Sequence, residues 1–156
     1  MPDGVRLAAT IYRPDPDLGP QPCLVEALPY RKDDVYSSNA PEYERLRDQY
    51  GYAVCRIDVR GTGSSGGRAT DEYPVTERGD LTAAVAWLAQ QAWCTGDIGM
   101  YGTSYSGCAA LLTALSAHRR SRRSSRFKVP TIRTPMTSTT AAAHCSSATS
   151  WTTRAT

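Results

Sequence analysis

The sequence lacks any apolar run long enough to cross a membrane. Such a span needs roughly 18 to 20 consecutive apolar residues, and the apolar runs here are much shorter. The first residues, Met1-Pro2-Asp3-Gly4, carry neither the basic segment nor the apolar segment of a secretory leader. We therefore expect a cytoplasmic protein that has no membrane partner.

Paired cysteines are also lacking. The chain has no C-x-x-C pair, and no histidine stands at metal-ligand spacing from a cysteine, so neither a disulfide framework nor a zinc site is indicated. We expect reduced and mostly buried thiols that act as small apolar side chains, and we expect no metal and no cofactor. The five cysteines are Cys23, Cys55, Cys94, Cys108 and Cys145.

Acidic residues are absent from the last part of the chain. All 15 Asp and Glu residues lie between Asp3 and Asp97, whereas the basic residues continue through a cluster at 119–128 and on to Arg154. A segment of this kind could grip nucleic-acid phosphates without sequence preference, which is one alternative function. Apart from Phe127 the cluster has no aromatic residue to stack on bases, so no specific nucleic-acid partner is expected.

Strand patterns and helix patterns alternate up to Ala117. Short apolar or alternating segments predict strands, and longer segments with apolar residues at helical spacing predict helices. We expect strands at 5–12, 23–28, 53–59 and 98–102, helices at 42–50, 76–93 and 106–117, and a turn at 95–97. This order predicts an α/β protein with a mainly parallel sheet and flanking helices. Beyond His118 the periodicity fails, which favours an irregular basic tail.

The hexapeptide G-T-S-Y-S-G at 102–107 stands between a predicted strand and a predicted helix. This is the arrangement of a nucleophile elbow, where a sharp turn lifts the hydroxyl of Ser104 above the sheet and small neighbours permit close packing. The N-terminus of the following helix offers backbone N–H groups to a developing oxyanion. The motif departs from G-x-S-x-G at Ser106, and an ordinary structural turn is the alternative.

Four motifs follow one another in a fixed order. They are D-G-V-R-L-A-A-T-I-Y-R-P at 3–14, L-P-Y-R-K-D-D at 28–34, D-V-R-G-T-G-S-S-G-G at 58–67 and G-D-I-G-M-Y-G-T-S-Y-S-G at 96–107. In these motifs the chain resembles the X-Pro dipeptidyl-peptidase-like serine hydrolases, which include the CocE/NonD group. The resemblance implies an α/β-hydrolase fold. The family's G-x-S-Y-x-G pattern also accommodates Ser106.

The resemblance assigns roles to three residues. Ser104 takes the role of the nucleophile, and the oxyanion hole takes its donors from the backbone N–H of Tyr105 and the phenol of Tyr30. The implied substrates are small-molecule esters, amides or peptides, cleaved through an acyl-enzyme. Tyr30 also stands just past a predicted central strand, where the ligand-facing loops of parallel sheets gather, although a half-buried aromatic at the edge is the alternative. Asp58 and Arg60 look like residues that fix a loop.

A serine nucleophile needs a base and an orienting acid, and in this fold the chain order is serine, then Asp or Glu, then histidine. No acidic residue follows Ser104, so no ordered triad can be assigned, and neither His118 nor His144 is taken as the base. An α/β-hydrolase usually needs roughly 200 to 250 residues, so we expect an incomplete fold. Activity should be weak or absent, and an inert truncated product is a further alternative.

The change of character near Ala117 suggests a shift of reading frame. The family continues with an apolar strand and then an acidic, aromatic segment. A +2 shift from His118 can recover a similar sequence from permitted codons. The junction of Met136 and Thr137 reads GAC, an Asp codon, whichever wobble bases are chosen. We hypothesise that residues 1–117 are the N-terminal part of a hydrolase domain and that 118–156 are a disordered basic tail translated out of frame.

Overall fold

The computed structural model describes residues 1–34 and 39–121, except for the side chains of 117–121. Its strands are β1 Ala9–Tyr12, β2 Gln21–Leu28, β3 Ala53–Asp58 and β4 Cys94–Met100. Its α-helices are α1 Ala40–Tyr50, α2 Val75–Leu88 and α3 Tyr105–Ser121, and a short 3-10 turn covers Pro16–Leu18. The hypothesised out-of-frame segment from residue 122 onward lies outside the described residues.

The four strands form one sheet in the order β1-β3-β2-β4. β2 pairs in parallel with both β3 and β4, and β1 pairs antiparallel with β3 at one edge. The predicted mainly parallel sheet is therefore confirmed, with one antiparallel edge strand. Because parallel strands share the edge at which they end, the segments that follow β2, β3 and β4 gather on one side of the sheet.

The core lies between the sheet and helices α2 and α3. The run C-L-V-E-A in β2 and the whole of β3 are buried, as expected of strands that are covered on both faces. Val25 packs at the centre, opposite Cys55 on one side and Met100 on the other. The four described cysteines are buried, as predicted, and Cys145 lies outside the described residues.

All four strands differ from their predicted bounds: β2 begins two residues early and β3 ends one residue early, and the larger differences are at the starts of β1 and β4. β1 begins at Ala9 rather than Val5, because the preceding backbone bonds largely to the glycine-rich loop: Gly66 N–H donates to Arg6 C=O, and Ala8 N–H donates to Ser65 Oγ. Of the described residues 5–8, only Ala8 has a carbonyl that accepts from β3, at Asp58 N–H.

β4 begins at Cys94 and includes the predicted turn at 95–97. These residues form a bulge. Gln21 pairs with Cys94 and Cys23 pairs with Ile98, so a step of two residues along β2 corresponds to a step of four residues along β4.

The three helices also differ from prediction, and α1 begins two residues early, at Ala40. α2 ends at Leu88, because a turn at residues 90–93 lets the Trp93 carbonyl accept from Gln21 N–H, which aligns the chain for β4. α3 runs to Ser121, four residues beyond the boundary placed after Ala117. The helical backbone therefore continues into the first residues of the predicted tail.

Asp58 ties together two loops at the edge where the parallel strands end. Its side chain is fully buried, and its two carboxylate oxygens accept from Lys32 N–H at 2.6 Å and from Ser64 N–H at 3.0 Å. Gly63 has a φ of +52°, and a Cβ there would lie 2.0 Å from the Asp58 carboxylate. The segment after β2 and the glycine-rich loop after β3 are thus fixed to each other through one side chain.

Arg60, which precedes the glycine-rich loop, fixes this loop through a second set of contacts. Its guanidinium binds Asp80 of α2 through two hydrogen bonds of 2.6 and 2.7 Å, and it also donates to Asp3 at 2.7 Å. It therefore links the N-terminal segment, the glycine-rich loop and α2. These contacts agree with the loop-fixing interpretation of both Asp58 and Arg60.

Replacing Asp58 with Asn should lower the free energy of unfolding by about 2 kcal/mol, since an amide nitrogen cannot accept from an N–H and one partly buried donor loses its partner. Urea denaturation measures the change. The control is Asp97→Asn at an exposed position, where the change should stay within about 0.5 kcal/mol. Equal losses for the two variants would contradict the bridging role of Asp58.

Candidate active site

Ser104 occupies the turn between β4, which ends at Met100, and α3, which begins at Tyr105. Its φ is +56°, a left-handed conformation that residues other than glycine rarely adopt. Its carbonyl accepts from Cys108 N–H at 3.0 Å, so the serine caps the first turn of α3. The side chain is exposed at the N-terminus of this helix, as the elbow prediction requires.

The glycines around Ser104 are needed because strand and helix come very close. A Cβ on Gly102 would lie 1.9 Å from Ser106 Oγ, and one on Gly107 would lie 3.0 Å from the Gly102 carbonyl oxygen. Gly102 also has a φ of +151°. Larger residues at either position would push the start of α3 away from the end of β4, and the turn would open.

Ser106, where the motif departs from G-x-S-x-G, is buried and hydrogen-bonded. Its hydroxyl lies 3.1 Å from the Glu26 carboxylate and 3.1 Å from the Thr103 carbonyl oxygen. Its relative exposure is 1%, so a hydroxyl here needs a partner. Glu26 of the central strand supplies that partner, which explains how this fold accepts a serine at the position.

Tyr105 begins α3 with a firmly held side chain. Its ring stacks on Tyr73 at 4.2 Å between centroids, and its hydroxyl donates to Glu77 at 2.8 Å. The same hydroxyl accepts from the backbone N–H of Tyr73 at 3.4 Å. Because Tyr105 is the first residue of the helix, its own N–H is among the four that have no partner within the helix.

Tyr30 follows β2, the strand adjacent to β4, and lies on the same side of the sheet as Ser104. Its side chain is 52% exposed, and its ring meets the edge of the Tyr105 ring at 6.4 Å between centroids. The structure therefore places Tyr30 beside Tyr105, the residue that follows Ser104, at the edge of the sheet where Ser104 lies, in agreement with their predicted positions.

A pocket of about 220 Å³ opens beside the two tyrosines. Apolar atoms and charged groups share its wall, and Glu77 lies in it at 4% exposure. Of the cations in the wall, Arg60 is already bound to carboxylates. The lining of the pocket includes Tyr30, Val59, Arg60, Pro74, Glu77 and Tyr105.

The hydrogen bond between Tyr105 and Glu77 forms in a buried region, and burial shifts the pKa of both groups. Burial raises the pKa of Glu77, and the hydrogen bond from Tyr105 opposes part of that rise. Burial also raises the pKa of the Tyr105 hydroxyl far above its usual range, and Glu77 adds to the effect. Tyr105 therefore remains a neutral donor at physiological pH, and the start of α3 stays anchored to α2.

Sequence reasoning missed three residues that shape the site. Glu26 carried a signal, since it is a lone carboxylate inside an apolar run. Glu77 and Tyr73 carried none, because nothing in the sequence separates them from other polar and aromatic residues near the start of α2. Among the described residues, no cluster of three His, Cys, Asp or Glu side chains could hold a metal ion. No helix within the described part of the chain has the length and apolar character of a membrane span.

Glu77→Gln should remove a pH dependence of stability. Glutamine keeps an acceptor oxygen for Tyr105 but does not titrate. The pKa of Glu77 is raised above its ordinary 4.5, so the stability it contributes is complete below that value and is lost as pH rises through the native pKa. The free energy of unfolding of the unsubstituted protein, minus that of the variant, should fall as pH rises from about 4 to about 7.

Glu42→Gln is the matched control for this titration. A hydrogen bond from Arg45 lowers the pKa of Glu42, so the contribution of this residue should be lost as pH falls, the opposite sign. Denaturation curves at several pH values measure both trends. A flat difference for Glu77, or one with the sign of Glu42, would contradict the effect of burial.

Comparison with known proteins places the chain in a family. The profile of the X-Pro dipeptidyl-peptidase (S15) family matches residues 3–123. A cocaine esterase from Rhodococcus sp. (strain MB1 Bresler) is 41% identical over 119 residues, which make up 74% of this chain and 20% of the esterase. The chain therefore spans about a fifth of the length of that relative.

Solved structures agree on the fold. A CocE/NonD family hydrolase from Staphylococcus aureus is similar with a TM-score of 0.63 and 25% identity, over 77% of this chain and 24% of its own. Est1E from Butyrivibrio proteoclasticus, solved with ferulic acid bound, has a TM-score of 0.62 and 24% identity, over 75% of this chain and 46% of its own. The second likeness shows the fold alone. The α/β-hydrolase fold class is thereby confirmed.

The family is shown by the extent of the profile match, which starts at Asp3 and includes the elbow. The motifs that run through residues 3–107 lie inside the matched region. Because the profile covers well over half of the sequence, the chain belongs to the X-Pro dipeptidyl-peptidase (S15) family.

Proposed function

We propose that this protein is a serine hydrolase that cleaves ester or amide bonds, including peptide bonds, through an acyl-enzyme on Ser104. The observation that carries the proposal is the conformation of Ser104, which is left-handed, exposed and placed at the N-terminus of a 17-residue helix. Strained backbone of this kind persists where the surrounding structure holds it, and it is concentrated at functional sites. Family membership supports the same chemistry.

In the proposed reaction, Ser104 Oγ attacks the substrate carbonyl carbon and the carbonyl oxygen takes up negative charge. The backbone N–H of Tyr105 and the hydroxyl of Tyr30 donate to this oxygen. The leaving alcohol or amine departs with a proton, and water then releases the acid from Ser104. Donors fixed in advance stabilise the developing charge best, because they need not reorganise during the reaction.

The support for the two donors differs in kind. Tyr105 is held by stacking on Tyr73 and by its bond to Glu77, so its N–H direction is fixed by the core. Tyr30 is half exposed and contacts Tyr105 only edge to face. Its phenol can therefore turn towards the oxyanion, at the cost of ordering an exposed side chain.

The pocket beside the tyrosines provides a place for part of the substrate. Val59 and Pro74 give it apolar surface, and Tyr30 lines it together with Tyr105, the residue that follows Ser104 in the chain. Its volume of about 220 Å³ suits a small group rather than a long chain. We assign small-molecule esters, amides or short peptides as the substrate class. The cocaine esterase to which this chain is similar acts, by its name, on an ester.

The sequence assigns Ser104 neither a general base nor an acid to orient that base. Removing the proton from a serine hydroxyl requires a base that is held by an acid. The sequence has no carboxylate after Asp97, so no acid stands between Ser104 and a following histidine. We therefore propose that the 156-residue chain is a very poor catalyst, even with the elbow in place.

Restoring the reading frame after Ala117, and continuing to the natural end of the family, should raise hydrolysis of 4-nitrophenyl acetate at least about 10³-fold over the 156-residue chain, because a complete triad then serves the nucleophile. Ser104→Ala should abolish the gain. Release of 4-nitrophenol measures both results. Comparable Ser104-dependent turnover by the two proteins would contradict the missing-triad argument.

Tyr30→Phe in the restored protein should lower kcat about 100-fold and leave KM nearly unchanged, since the lost hydroxyl acts only on the developing oxyanion. Tyr50→Phe is the control: Tyr50 is a similarly exposed tyrosine at the end of α1, away from the edge where the strands end. Equal effects of the two substitutions on kcat would argue against a donor role for Tyr30.

A further inference from the structure

Glu26 is a carboxylate buried within the central strand. Its residue exposure is 8%, and both of its oxygens accept hydrogen bonds. One bond comes from the Tyr43 hydroxyl of α1 at 2.5 Å, and the other comes from the Ser106 hydroxyl of α3 at 3.1 Å. A charge is retained in the interior only where such partners replace water. Glu26 therefore joins the central strand to one helix through each oxygen.

Ser106 is the partner that touches the elbow. Its hydroxyl lies 3.1 Å from the carbonyl oxygen of Thr103, the residue just before Ser104. It also fills the space that a Cβ on Gly102 would need. A hydroxyl has one proton to donate, and a carboxylate is a stronger acceptor than a carbonyl. The bond to Glu26 therefore sets the rotamer of Ser106 and, with it, the packing against residues 102–103.

Two neighbours support the carboxylate. Burial raises the pKa of the Tyr43 hydroxyl, as does its hydrogen bond to Glu26, and Arg56 opposes part of the rise. Tyr43 therefore remains a donor at neutral pH. Arg56 is the register partner of Glu26 on β3 and is 1% exposed. Its guanidinium has no hydrogen-bond partner among the described residues, so its positive charge acts on this region through space.

We propose that Glu26 is a positioning residue for the elbow: by holding Ser106, it fixes the turn that carries Ser104 and the N–H of Tyr105. Its relevance to catalysis rests on the proposed function. The physical reason is that the left-handed conformation of Ser104 is unfavourable in isolation and must be held by its surroundings. Glu26 helps to hold this conformation from β2, the strand next to β4. This support is separate from the close packing that the glycines of the turn permit.

Ser106→Ala and Tyr43→Phe form a matched pair for the test. Each removes one hydroxyl that donates to Glu26, but only Ser106 touches the elbow. Hydrogen exchange in the 156-residue chain gives a readout that needs no chemistry. The reporter is the amide of Cys108, which donates to the Ser104 carbonyl, and the reference is the amide of Tyr101, which donates to Val25 in the sheet.

The measured quantity is the ratio of the exchange rate of the Cys108 amide to that of the Tyr101 amide. Ser106→Ala should raise this ratio at least about tenfold, whereas Tyr43→Phe should change it less than about twofold. Glu26→Gln retains an acceptor oxygen for Ser106 and should keep the ratio close to that of the unsubstituted protein. An unchanged ratio in Ser106→Ala, or an equal rise in both variants, would show that Glu26 serves general stability and would overturn the proposal.

Ester hydrolysis supplies the second readout. In the frame-restored protein, Ser106→Ala should lower the Ser104-dependent kcat about tenfold and leave KM unchanged, because the misplaced turn affects the reacting atoms more than binding. Loss of kcat in Tyr43→Phe of the same size would count against the proposal. If no hydrolysis depends on Ser104 but the exchange result holds, the proposed function fails while the positioning of the elbow stands.

Discussion

The close crossing of β4 and α3 is the constraint on which the rest of the site depends. The chain leaves the sheet at Met100 and begins a helix at Tyr105, so a few residues must reverse its direction. Ser104 does this in a left-handed conformation, and Gly102 leaves room for the buried hydroxyl of Ser106. A serine side chain is thereby exposed beside the unpaired N–H groups of a helix end, which is the requirement of an acyl-transfer nucleophile.

The surrounding network keeps this crossing in place from three directions. Glu26 holds Ser106 from the central strand, and Glu77 holds the ring of Tyr105 from α2. Asp58 fixes the segment after β2, which contains Tyr30, to the glycine-rich loop. Buried carboxyl groups perform all three tasks, because their oxygens accept the hydrogen bonds that a buried donor needs. The interior of this domain therefore places carboxyl groups where they support the candidate site.

The sequence predicts the position of the elbow because its signals are local: a strand, a glycine-rich hexapeptide and a helix follow in order. The partners of Glu26 are different, since they lie 17 and 80 residues away along the chain. Only the packing of α1 and α3 on the sheet brings them together. The late start of β1 has the same origin, because residues 5–8 alternate like a strand but bond largely to the glycine-rich loop. Local pattern thus predicts which elements form, while distant contacts decide where they begin and how the site is held.

Identification of the serine that reacts with a fluorophosphonate tests the central claim most directly. Such a reagent phosphonylates an activated serine, and mass spectrometry of the digested protein locates the adduct. In the frame-restored protein the account predicts an adduct at Ser104 that forms faster than at Ser64, an exposed serine in the glycine-rich loop, and that is absent in Ser104→Ala. Equal modification of Ser64 and Ser104, or no adduct at Ser104 in the frame-restored protein, would contradict it.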